Sequence, residues 1–198
     1  LAAAGLPVAP ARCAGPLGGP RAATLVIAPG PVVVVESAQA LGPPTAATRA
    51  AWSHASSAGL APLLHAAAAR AGARGGSVAV GLGGSATVDG GRGLARALGL
   101  DLSGGDIRGP APRLPAPVEA WCDVRAPLAG AATYAPQKGA PSDAVAALPT
   151  ELAAWAARLN AWRTRQGRAP VDPDTPGAGA AGGLGFALAA LLDAPLRG

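Results

Sequence analysis

The chain is poor in aromatics, in lysine and in cysteine, and each shortage closes off a class of function. Aromatic residues make up 3% of 198: one Phe, one Tyr and four Trp. Single-stranded nucleic acid is held on stacked aromatics above a basic groove, and such platforms are scarce here. The net charge is +5, which favours anionic partners in general. The arginines are nevertheless scattered. Only Arg158, Arg163, Arg165 and Arg168 cluster, and a solvated helix end, with cations set against the dipole, accounts for them. No nucleic-acid partner is therefore expected. Cys13 and Cys122 are far apart, with no CxxC and no metal-ligand spacing. They make neither a disulfide framework nor a zinc site, and they fit a reduced, cytoplasmic setting. No cationic segment leads into an apolar one at the N-terminal side, so no secretory signal is visible. The uncharged stretch 175–192 is Gly and Ala in its first half and convincingly apolar only from Leu184. That content predicts a glycine loop feeding a buried helix rather than a membrane span. Gly-Lys-Ser/Thr occurs nowhere, which excludes a Walker A loop.

Lysine is the sharpest shortage. Of sixteen basic residues only Lys138 is not arginine. Lysine is a compact point charge and arginine a planar fork, so a lone lysine in an arginine-biased chain marks either a site that arginine cannot serve or a chance survivor on a surface turn. What the chain has in plenty is small residues. Half of it is hydrophobic, with 29 Gly and 21 Pro. Ala, Leu and Val must then build the core, each burying little area at about 25 cal/mol per Å², so modest stability is expected. The length suits one domain, spanning 1–198.

Strands are expected at 24–28 and 32–36, flanking the Pro29-Gly30-Pro31 turn, at 77–80, and at 118–124 ending by Asp123. Helices are expected at 60–71, closed by Gly72, at 93–98, at 184–192, and from Ser142, read as its cap, to about Gln166 with a break near Pro149. Strands alternating with helices mean an α/β class with a mixed or parallel sheet and flanking helices. Ligands in such sheets sit beyond the carboxyl ends of strands. Asp89 and Asp123 both follow predicted strand ends.

The segment from Val78 to Gly91 carries the chemistry. A short apolar run empties into Gly83, Gly84, Ser85, Thr87, Asp89, Gly90 and Gly91. Glycine lets backbone approach a ligand closely, hydroxyls add donors, and an acid can hold a cation or accept a proton. That mix suits a phosphate or a small polyoxygenated anion. Each residue also has a plainer reading. Asp89 can cap the turn before the next helix, Asp123 can accept backbone donors at a strand end, Glu36 can be a surface charge, and Ser85 and Thr87 can satisfy their own loop. His54 and His65 lack metal spacing and read as structural or surface. A dinucleotide fingerprint is also present: Gly81-x-Gly83-x-x-Ala86 follows a strand, and Asp101 lies further on. The glycines after Asp89 interrupt the helix that fingerprint requires. Gly177-x-Gly179-x-x-Gly182 fits as well, with no strand before it. A nicotinamide-binding oxidoreductase fragment is thus the rival reading.

Three ordered blocks go further. GGSATVDGG lies within 81–99, CDVRAPLAG and APQKGA within 122–140, and GAGAAGGLG within 176–192. Together with Gly15-Pro16-Leu17-Gly18 and the segment Val32 to Ala40, they resemble the bacterial-type glycerate kinases over nearly the whole chain. Val88 and Ala126 stand where that family usually has Asn, and each change removes a side-chain amide that could bind ligand or cap a turn. The resemblance implies ATP-dependent phosphoryl transfer to D-glycerate with Mg²⁺, in a cleft between two α/β domains. The chain would be the inserted domain, without the family's terminal acid–glycine blocks, and inactive or incomplete by itself. Lys138 would neutralise the moving phosphoryl group. Asp89 or Asp123 would orient the hydroxyl or hold the metal. Gly83, Gly84, Ser85, Thr87, Gly90, Gly91, Glu36 and Gln137 would bind substrate, and Gly177, Gly179, Gly182 and Gly183 the nucleotide.

Overall fold

The computed structural model describes residues 5–198. Four consecutive valines open its central strand. β-Branched side chains crowd a helix but pack well on a pleated surface, and β3 is Val32–Glu36, as expected. The Pro29–Pro31 turn folds it back on β2, Pro20–Ala28, in an antiparallel hairpin that sets Val26 opposite Val34. On its other side β3 pairs in parallel with β4, Ser77–Gly81, so that Val33 meets Val78 and Val35 meets Val80. β5, Val118–Trp121, and β6, Leu196–Arg197, extend the parallel part, and β1, Val8–Ala14, pairs antiparallel with β2. The result is one six-stranded mixed sheet in the order β1 to β6. β5 ends three residues earlier than expected, which leaves Asp123 in the loop beyond it.

Side chains alternate across a strand, and the alternation sorts the core. Val33, Val35, Val78, Val80 and Ala120 join the main cluster, while Val26, Val34 and Ala79 form a small separate one. The main cluster takes Leu60, Leu63 and Leu64 from α3, Leu60–Gly72, and Leu184, Phe186 and Leu188 from α6, Ala180–Leu192. The expectation of an Ala, Leu and Val core needs one amendment. Trp155, Trp162 and Phe186 are 1%, 1% and 0% exposed, so half of the few aromatics are spent on packing.

Between β3 and α3 lie two short helices, α1 at Ser37–Leu41 and α2 at Ala46–Ala50. Between β4 and β5 lies α4, Arg92–Ala97. The long helix α5, Ser142–Arg165, differs from expectation in two ways. Pro141, not Ser142, is its N-cap, and the helix runs on through Pro149. A proline inside a helix removes a backbone bond and clashes with the preceding turn. Here Leu148, Leu152, Trp155, Leu159 and Trp162 bury one face on both sides of it, and that packing holds the two parts in one helix. In α6 the order is reversed: Ala181, Gly182 and Gly183 have left-handed backbone, so regular helix begins at Leu184, the residue read from the sequence. Among the described residues no helix is long and apolar enough to cross a membrane.

Two members of the arginine cluster, Arg163 and Arg168, are not part of a solvated helix end. Arg163 is 5% exposed. It donates to the carbonyls of Ala189 and Ala190 and pairs with Asp193 at 3.0 Å, while Arg168 reaches Leu191 O and Asp193. These are carbonyls at the last turn of α6, the negative end of its dipole. The cations complement a helix, but not the one that carries them.

Candidate active site

The carboxyl ends of β3, β4 and β5 open onto two adjoining clefts. One, of about 600 Å³, is lined by Gly83, Gly84 and Ser85 from the loop after β4 and by Asp123 from the loop after β5. Its far side carries Gln137 and Lys138, with Gly179 and Gly182 from the segment leading into α6. The second, of about 680 Å³, holds Glu36 at the end of β3 and shares Leu82, Gly83 and Asp123 with the first. Both volumes fall within the range of small-molecule sites.

Lys138 is the centre of the first cleft. It closes a 3-10 turn, Pro136–Lys138, and is 4% exposed. Its Nζ donates to Thr87 O at 2.8 Å and to Ser85 Oγ at 3.1 Å. An ammonium has three donors, so one remains. Burial lowers its pKa from 10.5 to about 8, with nearby Asp89 opposing that fall. This is not a surface turn. A buried cation that keeps a spare donor at a cleft wall is the arrangement that receives an anion.

Asp89 takes the plainer of its two readings. Its Oδ2 accepts from Ser57 N at 2.9 Å, Ser57 Oγ at 2.8 Å and Gly93 N at 3.0 Å, and its Oδ1 accepts from Gly91 N at 3.0 Å. Four donors occupy the carboxylate, which caps the start of α4 and ties it to the Ser57 turn. It does not line the Lys138 cleft. Asp123 is exposed and is the one carboxylate that lines both clefts.

The glycines divide in the same way. Gly83 and Gly84 face the cleft. Gly90 and Gly91 are buried beneath it, where Gly90 O accepts from Trp155 Nε1 at 2.8 Å and Gly91 abuts Ala187. Gly177 packs on Cys122 and Gly183 on Gly90, and neither lines the cleft. Gly182 does both jobs. It lines the cleft at φ +74°, and a Cβ there would stand 2.0 Å from Thr87 O. Thr87 itself is fully buried and contributes its carbonyl to Lys138, while its Oγ1 has no partner among the described residues. Val88 lies in a small apolar cluster with Ala135 and Leu148, so this position faces core and not ligand. His54 and His65 are exposed.

Two polar side chains of the cleft were not anticipated, Arg49 on α2 and Tyr134. Neither sits in a motif, and a five-residue helix is too short to show periodicity. The dinucleotide reading fails on geometry. After β4 the chain takes residues 82–91 to reach α4, so no helix N-terminus meets the first glycines. Asp101 sits on an exposed loop, bridged to Arg108.

The chain as a whole has counterparts among known proteins. The model of the glycerate kinase family matches residues 1–198. The chain belongs to that family. It is 44% identical over 194 residues to an uncharacterised protein of Mycobacterium tuberculosis (strain CDC 1551 / Oshkosh), covering 91% of this chain and 46% of the relative. It is 37% identical over 145 residues to the glycerate 2-kinase of Escherichia coli (strain K12), covering 61% of this chain and 36% of that one. Among solved structures it resembles a protein assigned as glycerate kinase 2 in Salmonella typhimurium LT2, with a TM-score of 0.80 at 30% identity, over 99% of this chain and 57% of that chain. The chain thus spans about half the length of the family members it matches. The mixed α/β sheet is the family's fold.

Proposed function

We propose that this chain carries the phosphoryl-accepting half of a glycerate kinase, which transfers the γ-phosphoryl group of ATP to a hydroxyl of D-glycerate. The observation that carries the reading is Lys138, buried beneath the glycine loop with one donor left for the cleft. Phosphoryl transfer asks mainly for positioning and for neutralisation of charge on the moving group. Lys138 supplies the charge, and Gly83, Gly84 and Ser85 supply close backbone approach. Asp123 orients the acceptor hydroxyl and takes its proton. Asp89 supports the cleft from below, and Glu36 and Gln137 stand at its edges. Nucleotide phosphates would meet Gly179 and Gly182.

Mg²⁺ fits this donor set in a limited way. Among the described residues no three His, Cys, Asp or Glu side chains come together as a metal cage. Mg²⁺ needs only one or two carboxylates beside substrate phosphates, and Asp123 is the carboxylate available. When bound, the ion would offset phosphate charge. A cytoplasmic setting goes with this reading, since both cysteines are free thiols.

The test is glycerate-dependent ADP release by the whole protein. Lys138→Ala should lower turnover about 10²–10³-fold, the usual loss for one transition-state donor. Lys138→Arg should restore only part, because the fork reaches differently. Near-normal turnover in the alanine variant would remove Lys138 from the reaction.

A further inference from the structure

The Lys138 cleft has to receive two anionic groups if an α-hydroxy acid is phosphorylated there: the acid's carboxylate and the arriving phosphoryl group. Lys138 can serve only one of them. Two of its three donors are held by Ser85 Oγ and Thr87 O, and what remains is a single N–H on a buried point charge. One other cation lines the cleft, Arg49.

Arg49 is placed firmly and left free. It sits on α2, whose start is locked by a capping box: Thr45 N donates to Thr48 Oγ1 at 2.7 Å, and Thr48 N donates to Thr45 Oγ1 at 3.2 Å. Its main chain is pressed against the residue that follows Lys138. A Cβ at Gly139, where φ is +100°, would stand 2.2 Å from Arg49 O. The two cations are therefore carried on backbones in contact. The guanidinium itself makes only one long bond, 3.4 Å to Pro44 O, and pairs with no carboxylate among the described residues. An exposed arginine fork at a cleft mouth, with its donors unspent, matches a carboxylate in two parallel bonds.

We propose that Arg49 binds the substrate carboxylate and sets the preference of this cleft for an α-hydroxy acid over its uncharged analogues. The proposal rests on the glycerate reading above and assigns the division of labour within it. Lys138 faces the phosphoryl group and Arg49 the carboxylate.

The test is equilibrium binding by NMR titration at constant ionic strength, using D-glycerate, its methyl ester and inorganic phosphate as probes. The wild-type chain should bind glycerate at least about tenfold more tightly than the ester. Arg49→Gln should weaken glycerate about 10–100-fold, the loss of a charge-assisted bond, leave the ester unchanged and retain phosphate. Arg49→Lys should recover part of the loss. The side chain is exposed, so the glutamine variant should melt with the wild type. In the whole protein the same variant should raise KM for glycerate with kcat within a few-fold. A wild type that does not distinguish glycerate from the ester, or a glutamine variant that still does, overturns the assignment. Absence of glycerate-dependent ADP release by the wild type would instead sink the phosphoryl-transfer reading, which the binding measurements do not address.

Discussion

Asp89 and Lys138 lie close enough for the carboxylate to raise the lysine's pKa, yet they do different work. Every strong acceptor position on Asp89 is taken by the Ser57 turn or the start of α4. Removing it strands buried donors, at about 1–3 kcal/mol each. Asp89→Ala should therefore cost about 3 kcal/mol or more, read by urea denaturation. Asp89→Asn should cost less, because an amide oxygen can replace Oδ2 and keep its three donors while the amide nitrogen opposes Gly91 N–H. An alanine variant as stable as the wild type would contradict the capping role. The sequence made Asp89 conspicuous, since an acid inside a glycine loop suits either a cap or a site. Only the position of Ser57, distant in sequence, decides between them. Lys138 was conspicuous for its rarity, and its burial follows from contacts with residues 85 and 87 that no spacing rule brings together. Arg49 gave no signal at all, because one arginine among fifteen on a short polar segment looks like any other.

The elements that could be read were those with a strong local pattern. β3, β4, α3 and the regular part of α6 lie within a residue or two of their expected bounds, each being a dense apolar run with a glycine or a turn at its end. β1 alternates weakly and fully buries only Cys13, β6 has two residues, and α1 and α2 have five each. Such pieces are held by their neighbours rather than by their own propensity. The docking of the two glycine blocks was equally out of reach. Gly90 N donates to Gly182 O at 3.0 Å, and Gly182 lies against Thr87 O, so the segment before α6 closes over the loop after β4. Two alanine substitutions should separate packing from binding. Gly182→Ala puts a side chain into left-handed backbone and onto a carbonyl, and should cost about 3 kcal/mol or more. Gly83→Ala meets nothing within 4 Å and has no positive φ, so it should fold with a change of about 0.5 kcal/mol while weakening anion binding at the cleft. Denaturation midpoints and phosphate titrations would read the two effects. A stable Gly182→Ala protein would mean that the blocks are not docked.

For the molecule as a whole, the buried lysine sets stability and anion binding against each other as pH rises. The unfolded chain holds the Lys138 proton up to pH 10.5, whereas the folded chain releases it near pH 8 because burial disfavours the charge. Between those values the unfolded state binds more protons, so stability must rise with pH. Below pH 8 both states are protonated and this contribution is flat. The full span is on the order of 3 kcal/mol. Cys13 and Cys122 work in the opposite sense, since burial raises both thiols above 9 and the folded state then holds protons that the unfolded state has lost. The lysine's part is therefore the difference between the wild type and Lys138→Met, which has a similar shape and no charge. That difference should move in favour of the wild type from pH 8 to 10. Over the same range phosphate affinity should fall in the wild type, because the cation that faces the anion is being neutralised, while the methionine variant should bind weakly at every pH. Urea denaturation and phosphate titration at matched pH give both curves. Parallel stability curves for the two proteins from pH 7 to 10 would show that Lys138 keeps its proton in the folded state well past 8, and a wild-type affinity that does not fall would take the lysine away from the anion.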